Sequence, residues 1–290
     1  MSGLPPGDVE RIERALGWRP TRFRRAAENR GTSDTAARWI VGDDERSAFV
    51  KIGATELTAG WTRDEHRNYL AIAGAFMPRV LGFDDDGERP VLALEDLSAA
   101  SWPPPWTRER VDAVLETLAA VHRTPPPAHL YGHSIDWGAN WREVGEAPNA
   151  FLALELCSAA WLEAALPALI AASEAAPLAG GSLVHLDVRS DNVCFRDGRV
   201  MLIDWNAASI MNPDVEVAAW LPSLHAEGGP APEEILPSVP ELAGWLAGYF
   251  CSRAGEPGIA DAPHVRGLQL MQARTALPWA ARALGLRPPS

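Results

Sequence analysis

Most of the chain after Phe151 carries apolar residues at helical spacing, and one stretch breaks that pattern: Leu183 to Asp204 reads as short β-rich runs around a turn. It contains His185-Leu186-Asp187-Val188-Arg189-Ser190-Asp191-Asn192, then Val193-Cys194-Phe195, a turn at Asp197-Gly198, and Val200-Met201-Leu202-Ile203-Asp204. Two carboxylates and an amide are thus carried at the ends of a short hairpin. Asp and Asn also serve as plain turn or cap residues, but three of them in one compact setting point to chemistry. Such a set provides an acceptor for a hydroxyl proton and separate oxygens for Mg²⁺, which phosphoryl transfer requires.

The first hundred residues have a different texture. Ala37–Val41 and Ala48–Ile52 are β-rich runs separated by Gly42-Asp43-Asp44-Glu45, a hairpin signal that puts Lys51 near the end of a strand. Thr62 to Phe76 has helical spacing and stops before Pro78. A second hairpin follows, Arg79–Phe83 and Pro90–Leu94 around Asp84-Asp85-Asp86-Gly87. The Pro-rich stretch Trp102 to Trp106 then marks a linker, after which Thr107 caps a helix that runs to about Arg123. Further helices are expected at Val215–Leu224, Glu233–Cys251 and Pro263–Leu284.

Of the 26 basic residues, 25 are Arg, and Lys51 is the only lysine. Coding preference explains the bias; the one retained Lys suggests a site needing a compact ammonium rather than a planar fork. The formal charge of -12 argues against a phosphate-backbone partner and suits a cationic ligand. Cys157, Cys194 and Cys251 match no disulfide or metal spacing and are expected as reduced, buried thiols. With no leader or membrane-spanning run, a cytoplasmic protein is expected, monomeric and without nucleic-acid or membrane partners.

The pattern H-x-D-x-x-x-x-N, followed twelve residues later by Asp204, resembles the catalytic and metal-binding core of the aminoglycoside phosphotransferase and choline kinase family, and occurs in protein kinases too. The resemblance implies an α+β, two-lobed protein-kinase-like fold: a small β-rich N-lobe over residues 1–98 that binds nucleotide, and a larger, mainly helical C-lobe over 99–290. It makes Asp187 the catalytic carboxylate, with Asn192 and Asp204 the Mg²⁺ ligands. His185 would support the loop, and Arg189 would contact the transferred phosphoryl group or pair with Asp191. Lys51 would touch the phosphates and pair with Glu65, with Asp64 and Glu56 as rival partners. Glu95 and Leu97 fall at the adenine hinge, and Gly31 and Ser33 in a phosphate-covering loop, by position only.

Several features favour the small-molecule branch. Asp204 is followed by Trp205-Asn206 rather than Phe-Gly, and no A-P-E segment is present. Asn212-Pro213-Asp214-Val215-Glu216-Val217-Ala218 resembles the family's D-P-x-x-D-L-A segment, with Asn212 and Glu216 replacing its acids. Leu118 to His122 resembles a family helix ending in Leu-His, which has a packing role.

The expected activity is therefore Mg²⁺-dependent transfer from ATP or GTP to a small hydroxylated acceptor. Asp136, Trp137, Trp141, Glu143, Glu146, Trp205, Trp220, His225 and Glu227 could surround an amino-sugar-like acceptor, although most tryptophans should be core. A regulatory pseudokinase and a Ser/Thr protein kinase are the alternatives. Antibiotic resistance, biosynthesis and metabolism all stay open as physiological roles.

Overall fold

A computed structural model of the protein describes residues 4–26, 37–72, 74–130, 141–259 and 262–290. Two compact units result, Met1–Trp102 with Asp191–Ala208, and Pro103–Ser190 with Ser209–Ser290. A single boundary after residue 98 assigns 191–208 to the second unit, whereas its packing groups it with the first.

The first unit opens with α1 (Pro6–Leu16), followed by β1 (Arg22–Arg25), β2 (Ala37–Gly42), β3 (Ser47–Ile52), α2 (Glu56–Ala71), β4 (Val80–Asp84) and β5 (Val91–Glu95). The second begins with α3 (Arg108–Arg123), α4 (Trp141–Glu146), α5 (Pro148–Leu152), α6 (Ala159–Ala175) and β6 (Ser182–Val184). Strands β7 (Val193–Arg196) and β8 (Arg199–Leu202) belong to the first unit. The chain ends in the second with β9 (Ser209–Met211), α7 (Pro213–Ala226), α8 (Pro232–Ile235), α9 (Pro240–Ala254) and α10 (Val265–Ala283).

Both expected hairpins form and join in one antiparallel sheet, ordered β1-β2-β3-β5-β4. Asp43 shapes the β2–β3 turn, its Oδ1 accepting from the amides of Glu45 (3.0 Å) and Arg46 (2.8 Å). Strand alternation sends Val50 and Ile52 to one sheet face and Lys51 to the other. The first face is covered by α1, whose Ile12 and Ala15 pack with Val41, Val50, Ile52 and Val91. The approach to β4 admits only glycine, since a Cβ at Gly82 would lie 1.7 Å from the Ala15 carbonyl oxygen.

Helix α2 begins at Glu56, not Thr62, because Thr55 and Thr58 form a reciprocal cap: the Thr58 amide donates to Thr55 Oγ1 (3.2 Å) and the Thr55 amide to Thr58 Oγ1 (2.9 Å). The β7–β8 hairpin is tied to this unit through backbone. Phe195 and Ser101 exchange both hydrogen bonds (2.8 and 2.9 Å), and the Leu202 amide donates to the Phe76 carbonyl at 2.8 Å.

In the second unit β6 and β9 pair antiparallel, Leu183 facing Ile210. Its core contains Leu118, Trp141, Leu169, Trp220, Leu221 and Trp279, all buried. Trp141 Nε1 donates to the Gly244 carbonyl at 2.8 Å, and a Cβ at Gly248 would stand 3.0 Å from the indole. The helix expected over Glu233–Cys251 is instead two, since α8 stops at Ile235 and α9 restarts with Pro240 at its first position. Among the described residues no helix is long and apolar enough to cross a membrane.

Candidate active site

Lys51, 6% exposed, reaches two carboxylates from its strand: Nζ lies 2.5 Å from Glu65 Oε2 and 2.9 Å from Asp204 Oδ1. Glu65 comes from α2 and is 1% exposed. The rival partners fall away, Asp64 pairing with Arg67 at 3.2 Å and Glu56 lying exposed at the start of α2. Burial works against the Lys51 ammonium, but Asp204 and Glu65 together outweigh it and raise its pKa. Burial pushes the Glu65 carboxyl up to about 7; Asp204 adds to the shift while Lys51 opposes it. Arg38 stands directly opposite Lys51 in the β2–β3 register, and its charge acts on both Lys51 and Glu65. Facing positions on paired strands share a sheet face, so the hairpin itself carried that signal.

Asp204 follows β8 in a left-handed conformation, φ 65° and ψ 61°. Its Oδ1 also accepts from Asn206 Nδ2 at 2.6 Å. Asn192 precedes β7, and the Ile203 amide donates to its carbonyl at 3.0 Å, so both expected metal ligands flank the same end of one hairpin. Among the described residues no group of three or more His, Cys, Asp or Glu is placed to hold a metal ion. One carboxylate with one amide oxygen nevertheless suits Mg²⁺, which takes few protein ligands and completes its shell with phosphates and water.

At the expected hinge, the Glu95 amide donates to the Arg79 carbonyl (2.9 Å) and Glu95 Oε1 pairs with Arg196 at 3.0 Å. Leu97, 6% exposed, packs with Cys194 and Met201. Gly31 and Ser33, like Asp136 and Trp137, lie outside the described residues. Burial pushes the Cys194 thiol up to about 12 and Cys157 to about 11, which leaves both poor nucleophiles at neutral pH.

The second unit holds Asp187 on a loop after β6. The buried carboxylate of Glu216 anchors that loop: Oε1 accepts from the amides of His185 (2.5 Å) and Leu186 (2.9 Å), and Oε2 meets His122 Nε2 at 2.6 Å. Glu216, which replaces the family's second acid, and His122, expected only to pack, thus jointly fix the loop backbone. Leu186 takes a φ of 64°, and His185 Nδ1 accepts from the Asp187 amide at 3.2 Å. The Arg189 guanidinium makes a short ion pair with Asp187. Further along, Glu227 Oε1 accepts from Ser190 Oγ (2.6 Å), and its Oε2 from Trp106 Nε1 (2.9 Å). Trp141, Trp205 and Trp220 are each at most 1% exposed, so none of them offers a ring face to an acceptor.

A β-rich unit with a buried strand lysine paired to a helix glutamate, and a helical unit with an acid-bearing loop, define a kinase-like phosphotransferase. The chain belongs to the phosphotransferase enzyme family, whose APH model matches residues 28–253. The fold is similar to that of a thermostable mutant of aminoglycoside phosphotransferase APH(4)-Ia, solved as a ternary complex with AMP-PNP and hygromycin B. That match has 16% identity and a TM-score of 0.62, covering 96% of this chain and 99% of that one. Choline kinase LicA from Streptococcus pneumoniae is similar at 15% identity and a TM-score of 0.60, covering 96% and 97%. No curated protein matches by sequence. The α+β, two-lobed protein-kinase-like fold is therefore the fold of this chain.

Proposed function

We propose that the protein is a Mg²⁺-dependent small-molecule kinase that transfers the γ-phosphoryl group of ATP or GTP to a hydroxyl of an amino-sugar-like acceptor. The observation that carries this reading is the Lys51–Glu65–Asp204 cluster, because a buried ammonium fixed by one carboxylate and set beside a second that can take Mg²⁺ suits a metal-bound phosphate chain. An ammonium has three N–H donors, and the two carboxylates take two of them, so a third is left for a phosphate oxygen. Complexes of an aminoglycoside phosphotransferase with AMP-PNP and hygromycin B support a nucleotide donor and an aminoglycoside-like acceptor.

Asn192 and Asp204 would hold Mg²⁺, which when bound neutralises charge on the phosphates. Glu65 fixes the Lys51 ammonium, and Lys51 orients the phosphates. Asp187 accepts the acceptor hydroxyl's proton as the hydroxyl oxygen bonds to the γ-phosphorus and the bond to the β–γ bridging oxygen breaks, releasing the nucleoside diphosphate. Arg189, whose guanidinium pairs with the Asp187 carboxylate, would meet the transferring group. Gly31 and Ser33 would cover the phosphates, while Glu95 and Leu97 would face the base. Most of the rate enhancement would come from positioning and electrostatics.

The test is Mg²⁺-dependent turnover with ATP and GTP separately, across aminoglycosides, amino sugars, amino alcohols and nucleosides. Acceptor-dependent release of nucleoside diphosphate with an amino-sugar acceptor is expected. Nucleotide binding with no transfer to any acceptor would contradict the reading and favour a regulatory nucleotide-binding protein.

A further inference from the structure

Asp204 sits in the left-handed region, which Asp enters more readily than most residues with a Cβ, and its surroundings favour that conformation. The segment after it is held firmly. Trp205 is fully buried, and its indole Nε1 donates back across Asp204 to the Leu202 carbonyl at 2.9 Å. The carbonyl of Trp205 accepts from the side-chain amide of Asn68 at 2.7 Å, and Asn68 is itself 3% exposed. The Ala208 amide reaches the same oxygen only at 3.4 Å.

Asn68 lies on α2 three residues beyond Glu65, close to one turn further along the same helix. Through it α2 grips the peptide unit that leads into Asn206, whose side chain donates to Asp204 Oδ1 at 2.6 Å. Through Glu65 and Lys51 the same helix also reaches that carboxylate oxygen. One helix thus controls Asp204 twice, by backbone and by charge.

We infer that Asn68 is a positioning residue for Mg²⁺–nucleotide binding: its amide locks the Trp205–Asn206 peptide and so aims the Asp204 carboxylate. The inference rests on the reading of Asp204 as the metal ligand. Asn68 touches neither metal nor nucleotide in this account, so its loss should weaken the metal's contribution and spare the rest of the nucleotide site.

The experiment measures ADP dissociation constants by calorimetry with and without Mg²⁺, for the wild type and for Asn68→Ala and Asn68→Leu. Leucine keeps the branched shape with the same number of heavy atoms, although it is bulkier, and removes the donor. Both variants should lose about tenfold of the tightening that Mg²⁺ gives, with metal-free ADP binding within about twofold of wild type. A Mg²⁺ effect equal to wild type in either variant overturns the inference. Loss of metal-free binding in both variants also overturns it and assigns Asn68 to the fold. If wild-type ADP binding is itself indifferent to Mg²⁺, the reading of Asp204 fails instead.

Discussion

In the first unit, Lys51, Glu65 and Asp204 hold one another by charge, with the ammonium 2.5 and 2.9 Å from its two carboxylates. In the second, the loop bearing Asp187 is held by its backbone, through two amides donating to the buried Glu216. The difference separates two jobs. A charge-held cluster whose ammonium has a further N–H to give can take on a partner without being rebuilt, so it suits a metal-bound phosphate that arrives and leaves, and its state follows pH. A loop held by amide hydrogen bonds keeps one geometry whatever is bound, which suits a residue that must meet a hydroxyl at a set angle and distance.

Substitutions can break the two arrangements separately. The largest effect is expected from Asp204→Ala, which should lower turnover by about a thousandfold and remove the Mg²⁺ dependence of nucleotide binding, read by calorimetry and steady-state kinetics together. Lys51→Met leaves two carboxylates without their cation and should cost roughly 3 kcal/mol in urea unfolding at pH 8. That loss should shrink toward pH 5, where Glu65 takes up a proton; a cost independent of pH would contradict the charge-held picture. Glu216→Ala removes the acceptor of two buried amides and should cost about 2 kcal/mol, with kcat falling and nucleotide affinity unchanged. An unchanged kcat would show that the Asp187 loop keeps its geometry without that anchor.

The smallest effect is a slope. Glu65 titrates at 4.5 when unshifted and at about 7 in the folded chain. Between those values the folded protein keeps a proton that the unfolded chain has lost. The stabilisation from this group is therefore full below pH 4.5 and is lost as pH rises through about 7. The stability difference between wild type and Glu65→Gln, followed by urea unfolding from pH 4 to 8, should shift against the wild type as pH rises across that window. A constant difference would show that Glu65 is not held this way.

Local signals were the ones the sequence disclosed. The two β-hairpins, the Thr107 cap and the strand–turn–strand motif from Val193 to Leu202 all depend on neighbours a few residues apart, and all are present. For the Lys51–Glu65 pair the lone lysine singled out one end and the family resemblance supplied the helix glutamate, with Asp64 and Glu56 as rivals until the structure chose Glu65. Helix α1 went unread although its signals are local: Pro6 and Gly17 bracket it, and Val9, Ile12 and Leu16 stand at helical spacing. The true start of α2 was hidden because Thr58 stands where a capping Glu or Gln usually signals the box. Contacts across long separations were not readable at all: Asn68 with Trp205, Glu216 with His122, and Glu227 with Ser190 each join residues whose letters have ordinary local explanations. Tryptophan burial belongs with these, since only packing tells a core indole from a binding face.

The most direct test of the account is Asp187→Ala, assayed in one preparation for phosphoryl transfer to an accepted substrate and for Mg²⁺–nucleotide affinity. The account predicts transfer lower by about a thousandfold or more, with nucleotide affinity within about twofold of wild type, because the first unit keeps its cluster intact. Transfer at the wild-type rate would contradict the assignment of Asp187. Loss of nucleotide affinity alongside transfer would contradict the division of labour between the two units.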